Sequence, residues 1–265
     1  MESHHYGFTP SFISKLSHLC FLEPLDDMEE ILKKIIKSEF GEGNYEKVDE
    51  ALKNWSEAIR YYTASSADQY GAFRVGPSYP FNLRQNISIP ADPKAMFGAG
   101  ICNSLIPLAF NSWSGAPYGV RVIEEKKSLQ KMLEYIEKGV SLIESTEEKN
   151  GKLDELLNLG KFIRNTVVTG INTKNMQYLR HKLFGLETKD GMEELIDTIE
   201  KLLLDEMENV KATIPLVEKD SRLGWEPSME YVTDKEHLEW KIRQLKYVLD
   251  TEITDCRKSL DYIHT

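Results

Sequence analysis

Residues 153–183 read LDELLNLGKFIRNTVVTGINTKNMQYLRHKL, and this stretch decides the fold. Leu153, Leu156, Leu157, Leu159, Phe162, Ile163, Val167, Ile171, Met176, Leu179 and Leu183 recur at intervals dominated by threes and fours, the period of an α-helix with one buried side. No proline interrupts the run, and Lys149-Asn150-Gly151 before it is a turn. The run is too long for a strand, and a helix of this length must lie against other helices to bury its apolar face.

Equivalent patterns lie on both sides. Glu124 to Ile143 carries Leu129, Met132, Leu133, Ile136 and Val140, and Glu193 to Ile214 and Glu236 to Ile263 follow the first stretch. Gly185 to Gly191 and Asp220 to Asp234 supply the connecting turns. Nearer the start, Asp26 and Asp27 open a helix with Met28, Ile31, Leu32, Ile35 and Ile36 on one side, stopped by Gly41 and Gly43. A further helix from about Tyr45 to Tyr62 spaces Val48, Leu52, Trp55 and Ile59 by three and four. The pattern predicts an all-α protein, an antiparallel bundle of long helices joined by short turns. Ile87 to Ile89 and Val120 to Ile123 are weak strand candidates.

Between the second and third helices the composition changes. Across residues 64–122 glycine, proline, serine, asparagine and aromatic residues dominate, as in Tyr70 to Pro80 and in Phe110 to Gly119. The expected organisation is an N-terminal helical segment (1–63), an irregular aromatic insertion (64–122) and a long-helix bundle (123–265), forming one unit. Irregular insertions of that length carry function or pack on something else, so this one is expected to lie over the bundle or against a partner.

With 265 residues, 41% hydrophobic and 29% charged, the chain can build a substantial core. A net charge of −10 disfavours nucleic acid and anionic membrane surfaces as partners. No stretch has the ~20 apolar residues of a membrane span. Cys20, Cys102 and Cys256 form no C-x-x-C pair, which predicts buried thiols in a reducing, cytoplasmic compartment. Nucleotide-loop, nucleophile-elbow and HExxH patterns are missing from the sequence, and no cofactor or metal is expected. The opening Glu2-Ser3-His4-His5-Tyr6-Gly7-Phe8 has no signal-peptide character and reads like the interior of a fold, with further residues expected upstream.

Candidate binding residues therefore come from the loops. Asp220-Ser221-Arg222-Leu223-Gly224-Trp225-Glu226-Pro227 is the most distinctive. Arg222 can form a two-pronged pair with a carboxylate, and Trp225 can stack on the apolar face of a sugar while Asp220, Arg222 and Glu226 bond its hydroxyls. The plainer alternative is an ordered loop in which Asp220 caps and Arg222 bridges to a neighbouring acid. If that pair is buried, Arg222→Ala costs about 1–3 kcal/mol. Adjacent His4 and His5 would point to opposite faces of a strand, so either one, with Tyr6, is a ligand contact or a packing residue, not a joint metal site. Arg74 either satisfies buried carbonyls or meets a ligand carboxylate. Trp113, Tyr79 and Tyr118 are stacking platforms or covers for the end of the bundle. The acid pairs Glu124-Glu125, Glu147-Glu148 and Glu193-Glu194 sit beside lysines and read as solvated faces.

Several of these stretches resemble the C-terminal helical region of large bacterial glycoside-hydrolase-like proteins. They are His5-Tyr6-Gly7-Phe8-Thr9-Pro10-Ser11, Phe40-Gly41, Trp55-Ser56-Glu57-Ala58-Ile59, Val75-Gly76-Pro77-Ser78-Tyr79-Pro80 and Asp220-Ser221-Arg222-Leu223-Gly224. The pattern fits α-glucuronidase-like enzymes and other barrel glycosidases alike. In such proteins a (β/α)-barrel carries catalysis and a helical region follows it. A barrel of ~200–250 residues with alternating strands has no counterpart here, so no catalytic residue is carried over. The resemblance implies a carbohydrate ligand, a catalytic domain as N-terminal partner, and a substrate-facing edge built from His4 or His5, Arg74 and the Asp220 loop. The alternative is a stand-alone carbohydrate-binding or helical interaction module without catalysis.

Overall fold

Helix boundaries fall where side chains can pair the open ends of the backbone. Asp27 caps the second helix by accepting from the Glu29 amide at 2.9 Å, and Asn150 accepts from the Leu153 amide at 2.8 Å. Gly41 ends the second helix with a φ of 98°, a conformation that L side chains resist. The computed structural model describes residues 12–22, 27–62, 72–83, 118–147, 150–186, 188–226 and 230–263. Its elements are α1 (Phe12–Leu22), α2 (Met28–Phe40), α3 (Tyr45–Ala58), a short α4 (Ala72–Val75), α5 (Tyr118–Glu144), α6 (Gly151–Phe184) and α7 (Lys189–Lys219). A ribbon of two-residue strands, β1 (Trp225–Glu226) and β2 (Glu230–Tyr231), leads into α8 (Lys235–Tyr247), a π-helical stretch Val248–Ile253 and α9 (Thr254–Ile263). The protein is all-α, as the periodicity predicts.

Cross-helix contacts give each neighbour its direction. Lys47 near the start of α3 donates to the carbonyl of Ser145 just past α5, while Ser128 in the first half of α5 donates to the carbonyl of Tyr61 after α3. Lys161 meets Glu144 and Lys174 meets Glu125, so α5 and α6 run in opposite senses. Asn158 reaches Leu216 and Asn172 reaches Glu206, which orients α6 against α7. Lys235 pairs with Glu218 and Arg257 with Asp197, which brings the final helices back along α7.

Two apolar clusters share α6. In one, α2, α3 and α5 meet α6 around Trp55, whose indole N–H donates to the Ile136 carbonyl at 3.0 Å. The ring occupies space left by two glycines. A Cβ at Gly139 would lie 2.2 Å from Trp55 Nε1, and one at Gly160 would lie 2.4 Å from Cζ2. Three helices therefore close on one indole. The other cluster joins α6, α7, α8 and α9 to the segment after α4.

Residues 72–83 of the irregular insertion, expected to lie over the bundle or against a partner, pack into the bundle itself. Val75, Tyr79, Phe81 and Leu83 are buried, so Tyr79 is a core residue and not a stacking platform. The chain here is a strap laid into a groove of the bundle, without a neighbouring strand among the described residues. Its backbone groups pair instead with side chains. Phe81 donates its amide to Gln244 Oε1 at 3.2 Å and accepts from Gln244 Nε2, Leu83 donates to Glu252 Oε2 at 2.7 Å, and Lys241 donates to the Tyr79 carbonyl. Thr233 donates to the Val75 carbonyl and Ser78 to the Val232 carbonyl. Pro77 and Pro80 have no amide hydrogen, which removes two donors that burial would otherwise strand.

Other boundaries also differ. Helix α5 begins at Tyr118, so Val120 to Ile123 is helical and not a strand. Helix α1 was not singled out by its spacing, and Pro215 sits inside α7 without ending it. Glu125 is buried between Arg121 at 2.5 Å and Lys174 at 2.8 Å, which corrects its reading as part of a solvated face. The strand candidate Ile87 to Ile89 lies outside the described residues.

Gly160→Ala is expected to lower the unfolding free energy by about 1–3 kcal/mol, because the new methyl has no space beside the Trp55 ring. Urea denaturation checks this, and an unshifted midpoint would mean that the indole can retreat.

Candidate functional site

A concavity among the described residues lies where the strap, the middle of α6 and the loop after α7 meet. Phe73, Val75 and Gly76 form one side, Phe162, Ile163 and Thr166 a second, and Leu223, Gly224, Trp225, Val232 and Thr233 a third, around about 280 Å³. Backbone conformation brings the walls together. Gly76 adopts a φ of 82° and turns the strap, and a Cβ there would meet Thr233 Oγ1 at 3.0 Å. A Cβ at Gly224 would stand 2.7 Å from the Thr233 carbonyl oxygen, so the loop and the start of α8 touch only because position 224 is bare. Gly224 also accepts from the amides of Val232 and Thr233 at 3.0 and 3.2 Å. The β1–β2 ribbon, with Trp225 opposite Tyr231, presents Trp225 half-buried to the cavity.

Of the residues predicted from sequence, Trp225 lines the pocket. Arg74 lies between two lining residues in α4 and Glu226 follows Trp225 in β1, but their side chains are outside the description. Asp220 and Arg222 are not in the wall. Asp220 caps the turn Ser221–Gly224 by accepting from the Arg222 amide at 3.1 Å. The Arg222 guanidinium closes on both Asp220 oxygens at 2.8 and 2.7 Å, with Glu155 3.7 Å away. Hydrogen bonds from Arg222 hold the Asp220 carboxyl below its usual range. Glu155 and Phe162 are about 10 Å apart along the α6 axis, so this charged cluster sits beside the pocket, not in it. Here the plainer alternative, an ordered and self-capped loop, describes both residues. His4, His5, Tyr6 and Trp113 lie outside the described residues.

Phe73, Phe162, Thr166 and Thr233 were not singled out from sequence. Their positions give no local signal, because three separate segments must fold before they become neighbours.

The groups with the most displaced acidity lie elsewhere. Glu206 on α7 and Lys241 on α8 are fully buried, 3.4 Å apart. Glu206 also accepts from Thr169 and Asn172, each at 2.9 Å, and Lys241 lies 3.9 Å from the centre of the Phe81 ring. Burial raises the Glu206 carboxyl above its ordinary value and lowers the Lys241 ammonium to about 8, each offset in part by the opposite charge. Sequence carries a trace of this. Lys241 is three residues after buried Leu238 and four before buried Leu245, and Glu206 stands three after Leu203 and four before Val210. A charge in that register belongs to the core face. Sealed from solvent, the pair holds the strap through the Lys241 contact with the Tyr79 carbonyl.

Among the described residues, no group of three or more potential metal ligands occurs and no helix is long and apolar enough to cross a membrane. Cys256 is partly buried against the second cluster. No family model matches the chain, and neither does a curated protein or a solved structure.

Two outcomes are expected. Arg222 is 38% exposed, so solvent screening limits its ion pair, and Arg222→Ala should cost less than about 1 kcal/mol in chemical denaturation. A loss above 2 kcal/mol by the same measurement would mean the loop is a structural keystone. Lys241→Met should cost about 3–5 kcal/mol at neutral pH, because it strands a buried carboxylate. Between about 8 and 10.5 the unfolded wild-type chain holds more protons at this lysine than the folded one, so stability contributed here rises with pH. Glu206 works oppositely: its contribution is complete below 4.5 and fades as pH climbs through its raised folded value. Urea titrations at several alkaline pH values should show the wild-type advantage over Lys241→Met growing. A constant difference would contradict the depressed lysine.

Proposed function

We propose that this chain is a helical domain that lines a sugar-binding site in a glycoside-hydrolase-like protein, with the catalytic carboxylates carried by another domain. The observation that supports this reading is the meeting of two motifs. Val75 to Pro80 and Asp220 to Gly224, both among the stretches resembling such proteins, are far apart in sequence but are neighbours in the fold. Ser78 and Thr233 tie the strap to the residues that follow the second motif. Together with α6 the two segments frame the pocket that holds Phe73 and Trp225. Aromatic rings beside a few hydroxyls are the surface a pyranose needs, since its C–H face is apolar and its rim is polar.

The wall also favours binding over turnover by this chain alone. Glycoside hydrolysis requires two carboxyl groups, ~5–5.5 or ~6.5–9.5 Å apart, on either side of the scissile bond. The described lining residues include no Asp or Glu. A stand-alone carbohydrate-binding module would share this chemistry and differ only in needing no catalytic partner.

Titration of the chain with simple glycosides, followed by tryptophan fluorescence, tests the proposal. A millimolar dissociation constant (about −4 kcal/mol) is expected, and Trp225→Ala should weaken it at least ~10-fold. Equal affinity in the variant would move the sugar site elsewhere, and no response to any glycoside would remove the reading.

A further inference from the structure

The polar atoms of the pocket are already engaged in ways that restrict its ligand. Thr166 Oγ1 donates to the Phe162 carbonyl at 3.0 Å, and Thr233 Oγ1 donates to the Val75 carbonyl. A hydroxyl has one hydrogen, so both threonines present only lone pairs to the cavity. The neighbouring Ser78 hydroxyl, 3.0 Å from Thr233 Oγ1, is likewise directed to the Val232 carbonyl. Four amides of the wall are also taken. Gly76 donates to Ala72, Val232 and Thr233 donate to Gly224, and Trp225 donates to Arg222. The described lining residues include no Lys, Arg or His. Arg222, adjacent in sequence to Leu223 of the wall, has its guanidinium on Asp220 and Glu155. The cavity of about 280 Å³ sits just below the ~300–1,000 Å³ of typical ligand pockets, room for one ring.

Resting on the sugar-site reading above, we infer that the pocket accepts a single uncharged pyranose ring, stacked on Trp225 with hydroxyls donating to Thr166 and Thr233, and rejects uronates and sugar phosphates. An anion entering this wall would lose its hydration, and the described lining residues offer it no cationic side chain in return. The net charge of −10 adds repulsion at longer range. This ligand class departs from the α-glucuronidase side of the resemblance, whose sugar carries a carboxylate, and leaves the broader glycosidase side intact.

The test uses the full chain labelled with 5-fluorotryptophan. Four tryptophans give resolvable ¹⁹F signals, and Trp225→Phe assigns the relevant one. Methyl β-D-glucopyranoside and methyl β-D-glucopyranosiduronate are titrated in parallel at constant ionic strength. The Trp225 signal should move with the neutral glycoside, and the uronate should need at least ~10-fold more ligand for the same shift. Thr166→Val, which keeps the side-chain shape, should weaken the neutral glycoside several-fold. A uronate that binds equally well overturns the ligand class while the sugar site stands, and loss of that binding in Arg74→Gln would identify Arg74 as the carboxylate partner. An unchanged affinity in Thr166→Val overturns the acceptor role. If neither glycoside moves the Trp225 signal, the sugar-site reading fails and the inference fails with it.

Discussion

Burying an extended peptide inside a helical bundle imposes a demand that no helix meets by itself. Residues 75–83 are buried, and among the described residues no second strand pairs with them. The demand is met by polar side chains projecting from the last helical run and its approach: Thr233, Lys241, Gln244 and Glu252. Much else follows from this. A lysine is drawn into the core to reach the Tyr79 carbonyl, and its charge in turn calls for Glu206 on the facing helix. Glu206 then has its remaining capacity filled by Thr169 and Asn172 of α6. The polar seam between α6 and α7, where Asn165 and Asn209 also bond across the interface, continues the same network.

The pocket is a by-product of the same strap. Its α6 and ribbon walls could exist without residues 73–76, but they would then enclose a trough open on one side. Gly76 turns the strap at the point where Thr233 grips it, so the residue that seals the wall also anchors the chain. A ligand touching Phe73, Trp225 and Thr166 would bridge three segments that are distant in sequence, and would stabilise the arrangement by preferring the assembled state over the open one.

How much of this the sequence displays depends on whether the cause is local. Helices α2, α5, α6 and α7 are visible because their apolar residues repeat at the helical period, and the caps of α2 and α6, Asp27 and Asn150, lie within three residues of the amides they serve. The Asp220–Arg222 pair is legible for the same reason, since both partners lie within one turn. The strap is not. Its glycines and prolines break every period, so local reading yields an irregular segment lying over the bundle or against a partner, without its place in the groove. What buries it is a set of partners more than 150 positions downstream, as in the pairing of Tyr79 with Lys241. Trp225 could be named as a binding residue from its setting among Gly, Pro and charged residues, whereas Phe162 and Thr166 look like any other positions on a long helix.

A buried ion pair is weak evidence for stability, since two apolar residues of similar volume often serve as well or better. Its value here lies in register. Along the strap, donors to the groove alternate: the Phe81 and Leu83 amides reach Gln244 and Glu252, and Pro80 between Tyr79 and Phe81 has no amide hydrogen. If the strap slid by one residue, Gln244 would face the proline nitrogen and lose its donor, and Lys241 would no longer meet the Tyr79 carbonyl. Apolar contacts alone would tolerate such a slip more readily, because they are nondirectional and the strap offers aromatic and aliphatic residues on either side. Directional bonds to fixed backbone atoms do not tolerate it. The buried charges and amides of α8 thus select one placement of the strap, and that placement sets Phe73, Val75 and Gly76 in the pocket wall.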